Sequence, residues 1–399
     1  MRASTERILV SHAGNLPRPK DLDELLADPV ANRAAIDARL PSAVEEVVGR
    51  QIDCGVDVVN DGEYVKAGSY VGYIQGRVTG WESLPIDRSK PRKRAGVGER
   101  DRRQFPGFYE SGLWLQGSGG PVRPGYFTPG RPPEPQVERV CTGPVSYTGQ
   151  AAVAKDVEIL KGAISGKDVE GFICCLGPLS LGAGSRNEHY PSEEAYMTAV
   201  AEAVREEYRT VAEAGLVVQI DEPEFATSWQ FYPDWTIAQY RTYLESCVEI
   251  INHALEGVPE ELIRFHVCWG SGHRPHTGDV PLRDIADLLL RIRAQAYSIE
   301  AGNVRHSHEW RVWEDVKLPE GKILMPGVIS HATDLVEHPE LVAERIMNYA
   351  SVVGRESVQT GTDCGIGSRV GHQEIAWAKL AAMGEGAALA SSRLWPKGR

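Results

Sequence analysis

The chain has 399 residues, 42% of them hydrophobic and 25% charged, a composition that supports a globular fold with ample core. A formal charge of -12 and a pI near 5.5 argue against nucleic acid or an anionic membrane as partner, and no apolar run approaches the ~18 residues a membrane span requires. The apolar stretch at 8–10 is too short for a signal-peptide core, so a cytoplasmic protein is expected.

Strand-like and helix-like segments alternate along the chain. A short strand at 7–10 runs into the loop SHAGNLPRP, and helical patterning over 21–53 is broken near Pro41. A buried strand at 56–59 ends in NDGE. The stretch 64–139 is rich in Gly, Pro, Arg and aromatics and has no long helical period. It reads as an insertion of hairpins and loops after the second strand, lying over one face of the core as a lid. Strands are then expected at 139–142, 171–176, 216–220, 263–268, 296–299, 323–325 and 357–360. Amphipathic helices are expected at 192–214, 235–255, 282–294, 339–353 and 372–389, the first opening on Ser192 as N-cap with Glu193 and Glu194 in its first turn.

Short apolar strands alternating with helices imply a parallel sheet covered on both faces. About eight such units in this length favour a single (β/α)8 TIM barrel over residues 1–399, with 64–139 inserted in it. No GxGxxG follows a strand, and GAISGKD at 162–168 lacks the spacing and the Ser/Thr of a phosphate-binding loop. Seven cysteines, an odd count without CxxC, imply a reducing compartment and no disulfide framework.

A barrel builds its active site where the strands run out. The polar residues expected there are His12, Asn15, Asp61, Glu63, Ser146, Asp221, Glu222, His266, Cys268, Glu300, His331, Asp363 and Cys364. His266 and Cys268 are two apart, so one strand presents both on one face. Glu300 follows Cys268 by 32 positions and Cys364 follows Glu300 by 64, or one and two βα units. One imidazole, one carboxylate and two thiolates suit zinc, and a zinc held this way keeps a substrate thiol ionised near neutral pH. The carboxylate argues against a closed structural site. Glu63 and Asp221 at one rim are suited to an ammonium group or to acid–base work, unless Glu222 and Glu63 pair with rim arginines such as Arg18, Arg305 or Arg369. His273, His276, His306 and His308 form a rival set, better read as hydrogen-bonded loop residues. The tryptophans near the rim are read mainly as packing.

These motifs, in this order, resemble the C-terminal catalytic barrel of cobalamin-independent methionine synthase and its single-barrel relatives. The resemblance is carried by SHAGNLPRP, VVNDGE at 58–63, TGPVSY at 142–147, VVQIDEP at 217–223, FHVCWG at 265–270, YSIE at 297–300, PGVISHATDLVEHPELVAERI at 326–346 and TDCGIGSR at 362–369. It implies Zn2+ held by His266, Cys268, Glu300 and Cys364. It implies substrate binding by Glu63, Asp221, Ser146 and His12, with Glu63 and Asp221 on the amino group of homocysteine. His331 falls close to the family's acid histidine, although the local spelling differs, and is the expected proton donor with Asp221 as fallback. The implied reaction is methyl transfer from a methylated folate-like donor to homocysteine or a related thiol. The same scaffold in epoxyalkane:coenzyme M transferase adds a thiol to an epoxide, and the zinc ligands do not separate the two. The expected partners are therefore a small-molecule thiol and a methyl or alkyl donor. A homo-oligomer is compatible with the sequence. The second, N-terminal barrel of the long methionine synthases has no counterpart in these residues.

Overall fold

A computed structural model describes residues 1–64, 66, 72–87, 89–90, 94–96, 98–111, 137–270, 274–367 and 369–396. Eleven strands are named here: β1 (Leu9–Val10), β2 (Val58–Val59), β3 (Val78–Pro85), β4 (Val137–Tyr147), β5 (Glu170–Leu176), β6 (Arg186–Asn187), β7 (Val217–Asp221), β8 (Ile263–Val267), β9 (Ala296–Ile299), β10 (Ile323–Ile329) and β11 (Gln359–Thr362). Eight are parallel neighbours in the order β1-β11-β10-β9-β8-β7-β5-β2. Most are buried along their whole length, as strands covered by helices outside and side chains inside must be. The two ends of this sheet meet through Asp57, whose N–H donates to Val10 O at 2.8 Å while its carboxylate accepts from the Val10 N–H and from the Arg7 guanidinium. The result is a nearly closed (β/α)8 barrel.

Several expectations are corrected. The strand expected at 139–142 belongs to β4, which pairs antiparallel with β3 and parallel with β6 in a separate three-stranded sheet. Its sequence VERVCTGPVSY carries charges and a proline, and its burial is one-sided, so it suits a sheet open to water and not a barrel wall. Pro41 does not break its helix: Arg33–Asp53 runs through it, and the interruption comes earlier, after Lys20–Leu26. Pro41 lies on the exposed side, where the lost N–H costs least. The helix expected at 282–294 shrinks to a 3-10 turn at Leu282–Asp284 and one α turn at Ala286–Leu289. A helix at Gln150–Ile164 has no counterpart among the expected elements. The insertion contains β3 and the short helices Glu99–Gln104 and Pro106–Glu110, and its residues 112–136 lie outside the described set. Ser192 caps the helix Glu193–Glu213 as expected, its side chain accepting from Ala195 N. No helix among the described residues is long and apolar enough to cross a membrane.

Candidate active site and metal centre

Parallel strands end on one side, so the residues following β1, β2, β7, β8, β9, β10 and β11 meet there. His266 is the fourth residue of β8, Cys268 follows its end, and Cys364 lies two residues past β11. Their ligand atoms all lie within 4.8 Å of one another. Ser298 sits opposite His266 in the β8–β9 register, and its Oγ is 2.9 Å from His266 Nδ1. The other ring nitrogen, Nε2, is buried without a hydrogen-bond partner. The contact with Cys268, against burial, pushes Cys364 well below the usual thiol range, and the same contact, with burial, pushes Cys268 up. An orphaned imidazole nitrogen beside two cysteine sulfurs is the donor set of a borderline-soft divalent ion, and a hydrogen bond on the far nitrogen is how ligand histidines are commonly oriented.

Glu300, the fourth expected ligand, stands beside this trio with its carboxylate engaged elsewhere. Oε1 accepts from Trp269 N at 2.8 Å and Oε2 from Asn303 Nδ2 at 2.7 Å. Burial, then the neighbouring charge of Asp363, pushes its carboxyl well above the ordinary range.

A second cluster adjoins the first. Polar atoms of Glu63, Cys174 and Asp221 lie within 4.8 Å of one another. Asp221 accepts from Gln219 Nε2 at 2.7 Å, and burial pushes its carboxyl up to about 6 against the opposing charges of Lys66 and His266. Glu63 has a left-handed backbone (φ 58°), stabilised by its N–H donating to Asp61 Oδ1 at 2.9 Å. Gly14 packs so closely here that a Cβ on it would stand 2.2 Å from Glu63 Oε1. The cation paired with Glu63 is none of the arginines considered from sequence. It is Lys66, whose buried Nζ lies 3.8 Å from Glu63 Oε2, donates to Cys174 O at 2.8 Å and sits 4.6 Å over the Tyr73 ring. Sequence reasoning passed over Lys66, although its i,i+3 spacing from Glu63 was a usable signal.

His331 follows β10 and is buried, with Nδ1 unpartnered. Burial lowers its pKa, while the Cys364 and Asp363 charges oppose that shift. Ser146 and His12 belong to neither cluster. Ser146 is exposed on the outer sheet opposite Thr79. The His12 ring spends Nε2 on Gln51 Oε1 at 2.7 Å and accepts the Gly14 N–H on Nδ1 at 3.1 Å, and burial pushes its pKa down to about 3. It braces the loop after β1 as a neutral ring.

The loop histidines are hydrogen-bonded. His276 Nδ1 meets Asp279 Oδ2 at 2.7 Å and His306 Nδ1 meets Glu309 Oε2 at 2.8 Å, while His308 is exposed and His273 lies outside the described residues. Trp269 stacks on His306 with 4.3 Å between centroids, and Trp235 on Tyr232 at 3.9 Å. The insertion rests on this rim. Arg100 donates to the carbonyls of Trp229, Tyr232 and Trp235, and Asp101 accepts from His276 N, Gly278 N and Thr277 Oγ1. A groove of about 950 Å³ lined by Met197, Tyr243, Cys247 and His253 lies between outer helices and includes none of the clustered ligands.

Residues 135–389 match the family model described as cobalamin-independent synthase, catalytic domain. The methionine synthase of Pyrococcus abyssi is 25% identical over 224 residues, 56% of this chain and 58% of that protein. That of Saccharolobus solfataricus is 27% identical over 229 residues, 57% and 60% respectively. The matched segment thus spans about three fifths of these relatives' length. In structure the chain is similar to a B12-independent methionine synthase from Shewanella sp. W3-18-1, solved with selenomethionine. The TM-score is 0.66 at 21% identity, covering 97% of this chain and 99% of that one, a likeness of fold.

Proposed function

This chain belongs to the cobalamin-independent synthase family through its catalytic domain, and from that premise we propose that it transfers a methyl group to the sulfur of a small thiol at a zinc centre. The thiol is homocysteine or a related compound and the donor a methylated, folate-like amine. The observation that carries the reading is the buried, unpartnered Nε2 of His266 among the sulfurs of Cys268 and Cys364. Zinc bound by these three residues would lower the pKa of a substrate thiol and keep its sulfur nucleophilic near pH 7. Glu300 would be available as a fourth ligand only on release of the Trp269 N–H or the Asn303 amide.

The remaining steps fall to the chain itself. Asp221, one strand over from His266, receives the cationic head of the thiol and fixes its orientation. Glu63, already beside Lys66, holds that wall of the pocket. His331 delivers the proton the leaving nitrogen needs, with Asp221 as fallback donor. The Lys66–Glu63 pair also favours a second reading, addition of a thiol to an epoxide, because it leaves less negative charge for a substrate amine.

The test is zinc stoichiometry together with product detection by mass spectrometry on homocysteine and other small thiols, with methylated folate or epoxides as electrophile. Cys268→Ser and Cys364→Ser are expected to lose zinc and turnover together. Full zinc and full turnover in either variant would overturn the assignment.

A further inference from the structure

Arg274 is a partly buried guanidinium that meets no anion among the described residues. Its one hydrogen bond to them is a long one, from Nη2 to the Trp269 carbonyl at 3.4 Å, and its Nε is buried with no partner. The acids of its own neighbourhood are committed: Asp101 to the backbone of His276 and Gly278 and to Thr277, Asp279 to His276, His306 and Gln230. A desolvated guanidinium left uncompensated is costly, and its rigid fork matches carboxylate, sulfonate and phosphate.

Its position is fixed by two glycines. A Cβ on Gly98, in the insertion, would stand 3.1 Å from Nη1, and a Cβ on Gly270 would stand 2.9 Å from Nη2. Gly270 lies two residues past Cys268, so the guanidinium lies across the loop that carries a metal ligand. Just past Arg274 the loop is pinned at residues 276–278 by Asp101.

We propose that Arg274 forms an anion subsite, receiving a carboxylate, sulfonate or phosphate group carried by one of the two reactants. The assignment of that anion to a reactant rests on the thiol-transfer reading. The insertion then acquires a positioning role, because Gly98 and Asp101 hold the guanidinium and its loop in place.

Sulfate is the probe. Calorimetric titration of zinc-loaded protein at constant ionic strength is expected to show one sulfate per chain. Arg274→Met should weaken it at least tenfold and Arg274→Lys less. If sulfate and 3-mercaptopropionate exclude each other, with 2-mercaptoethanol unaffected, the anion belongs to the thiol. If they bind together, it belongs to the alkyl donor. Either result supports the subsite. Absence of sulfate binding, or binding unchanged in Arg274→Met, overturns it. Should that variant fail to fold, the wild type still decides: sulfate must slow modification of Arg274 by phenylglyoxal, followed by mass spectrometry. Zinc K-edge spectroscopy with added thiol reads the other proposal separately, since a centre that gains no sulfur sinks thiol transfer and leaves the sulfate isotherm standing.

Discussion

His266 and Ser298 face each other across β8 and β9, with Nδ1 and Oγ 2.9 Å apart. This contact fixes which imidazole nitrogen is left for the two thiols. Ser298→Ala frees the ring to rotate and leaves Nδ1 buried without a partner. Zinc affinity is expected to fall by roughly 10–100-fold, with the fold retained, because partners behind a ligand are worth about that much. Competition with a chromophoric chelator measures it, and unchanged affinity would refute the orienting role.

Lys66 is the counter-charge of a buried carboxylate wall. Lys66→Met keeps the length of the side chain and removes the ammonium, leaving Glu63 beside Asp61 and Asp221 uncompensated. A loss of about 3 kcal/mol in unfolding free energy is expected, the usual scale for breaking a buried pair. Denaturant melts at fixed zinc check it. A loss of under roughly 1 kcal/mol would place the pair among weak surface contacts.

The pH profile of stability carries a signature of His306. Burial opposes its charge, but the neighbouring carboxylates of Asp279, 3.5 Å from Nε2, and Glu309, hydrogen-bonded to Nδ1, overcome that and raise its pKa to about 10. A raised pKa in the folded state stabilises fully below the unfolded value near 6.5, and this contribution drains away as pH climbs toward 10. Asp279, held well below the ordinary carboxylate range chiefly by the two histidines against burial, acts in the opposite sense and loses its contribution on acidification. The denaturant midpoint should therefore fall between pH 6.5 and 10, and His306→Gln should flatten that limb. An equally steep limb in the variant would exclude His306 as its source.

Asp101 joins the insertion to the loop after β8 through three accepted hydrogen bonds. Asp101→Ala leaves the His276 and Gly278 N–H groups unpaired, each worth about 1–3 kcal/mol locally when bonded to a charged acceptor. Faster hydrogen exchange at 276–278 is expected, with little change in global melting, because the barrel strands lie elsewhere. Exchange as slow as in the wild type would show that the loop stands without the insertion.

Much of the barrel was legible because its strands are near-continuous apolar runs ending in polar loops. β7, β8 and β9 were found at nearly their observed bounds for that reason. β4 was misassigned because a four-residue window, 139–142, hid the charged and proline-containing strand around it. Ser146 was carried to the rim by that same error.

The sequence by itself determined the α/β alternation, the pairing of His266 with Cys268 on one strand face, and the placing of Asp221 and Cys364 at strand ends, because each follows from a two-residue or one-unit period. Only the tertiary structure decided which charges meet. It brought Lys66 against Glu63, turned Glu300 toward Trp269 and Asn303, enclosed His12 as a neutral ring, and left Arg274 with no anion among the described residues. Electrostatic partnership depends on distances of a few ångströms and on exclusion of water. Those are set by packing between segments far apart in the chain, and no local period encodes them.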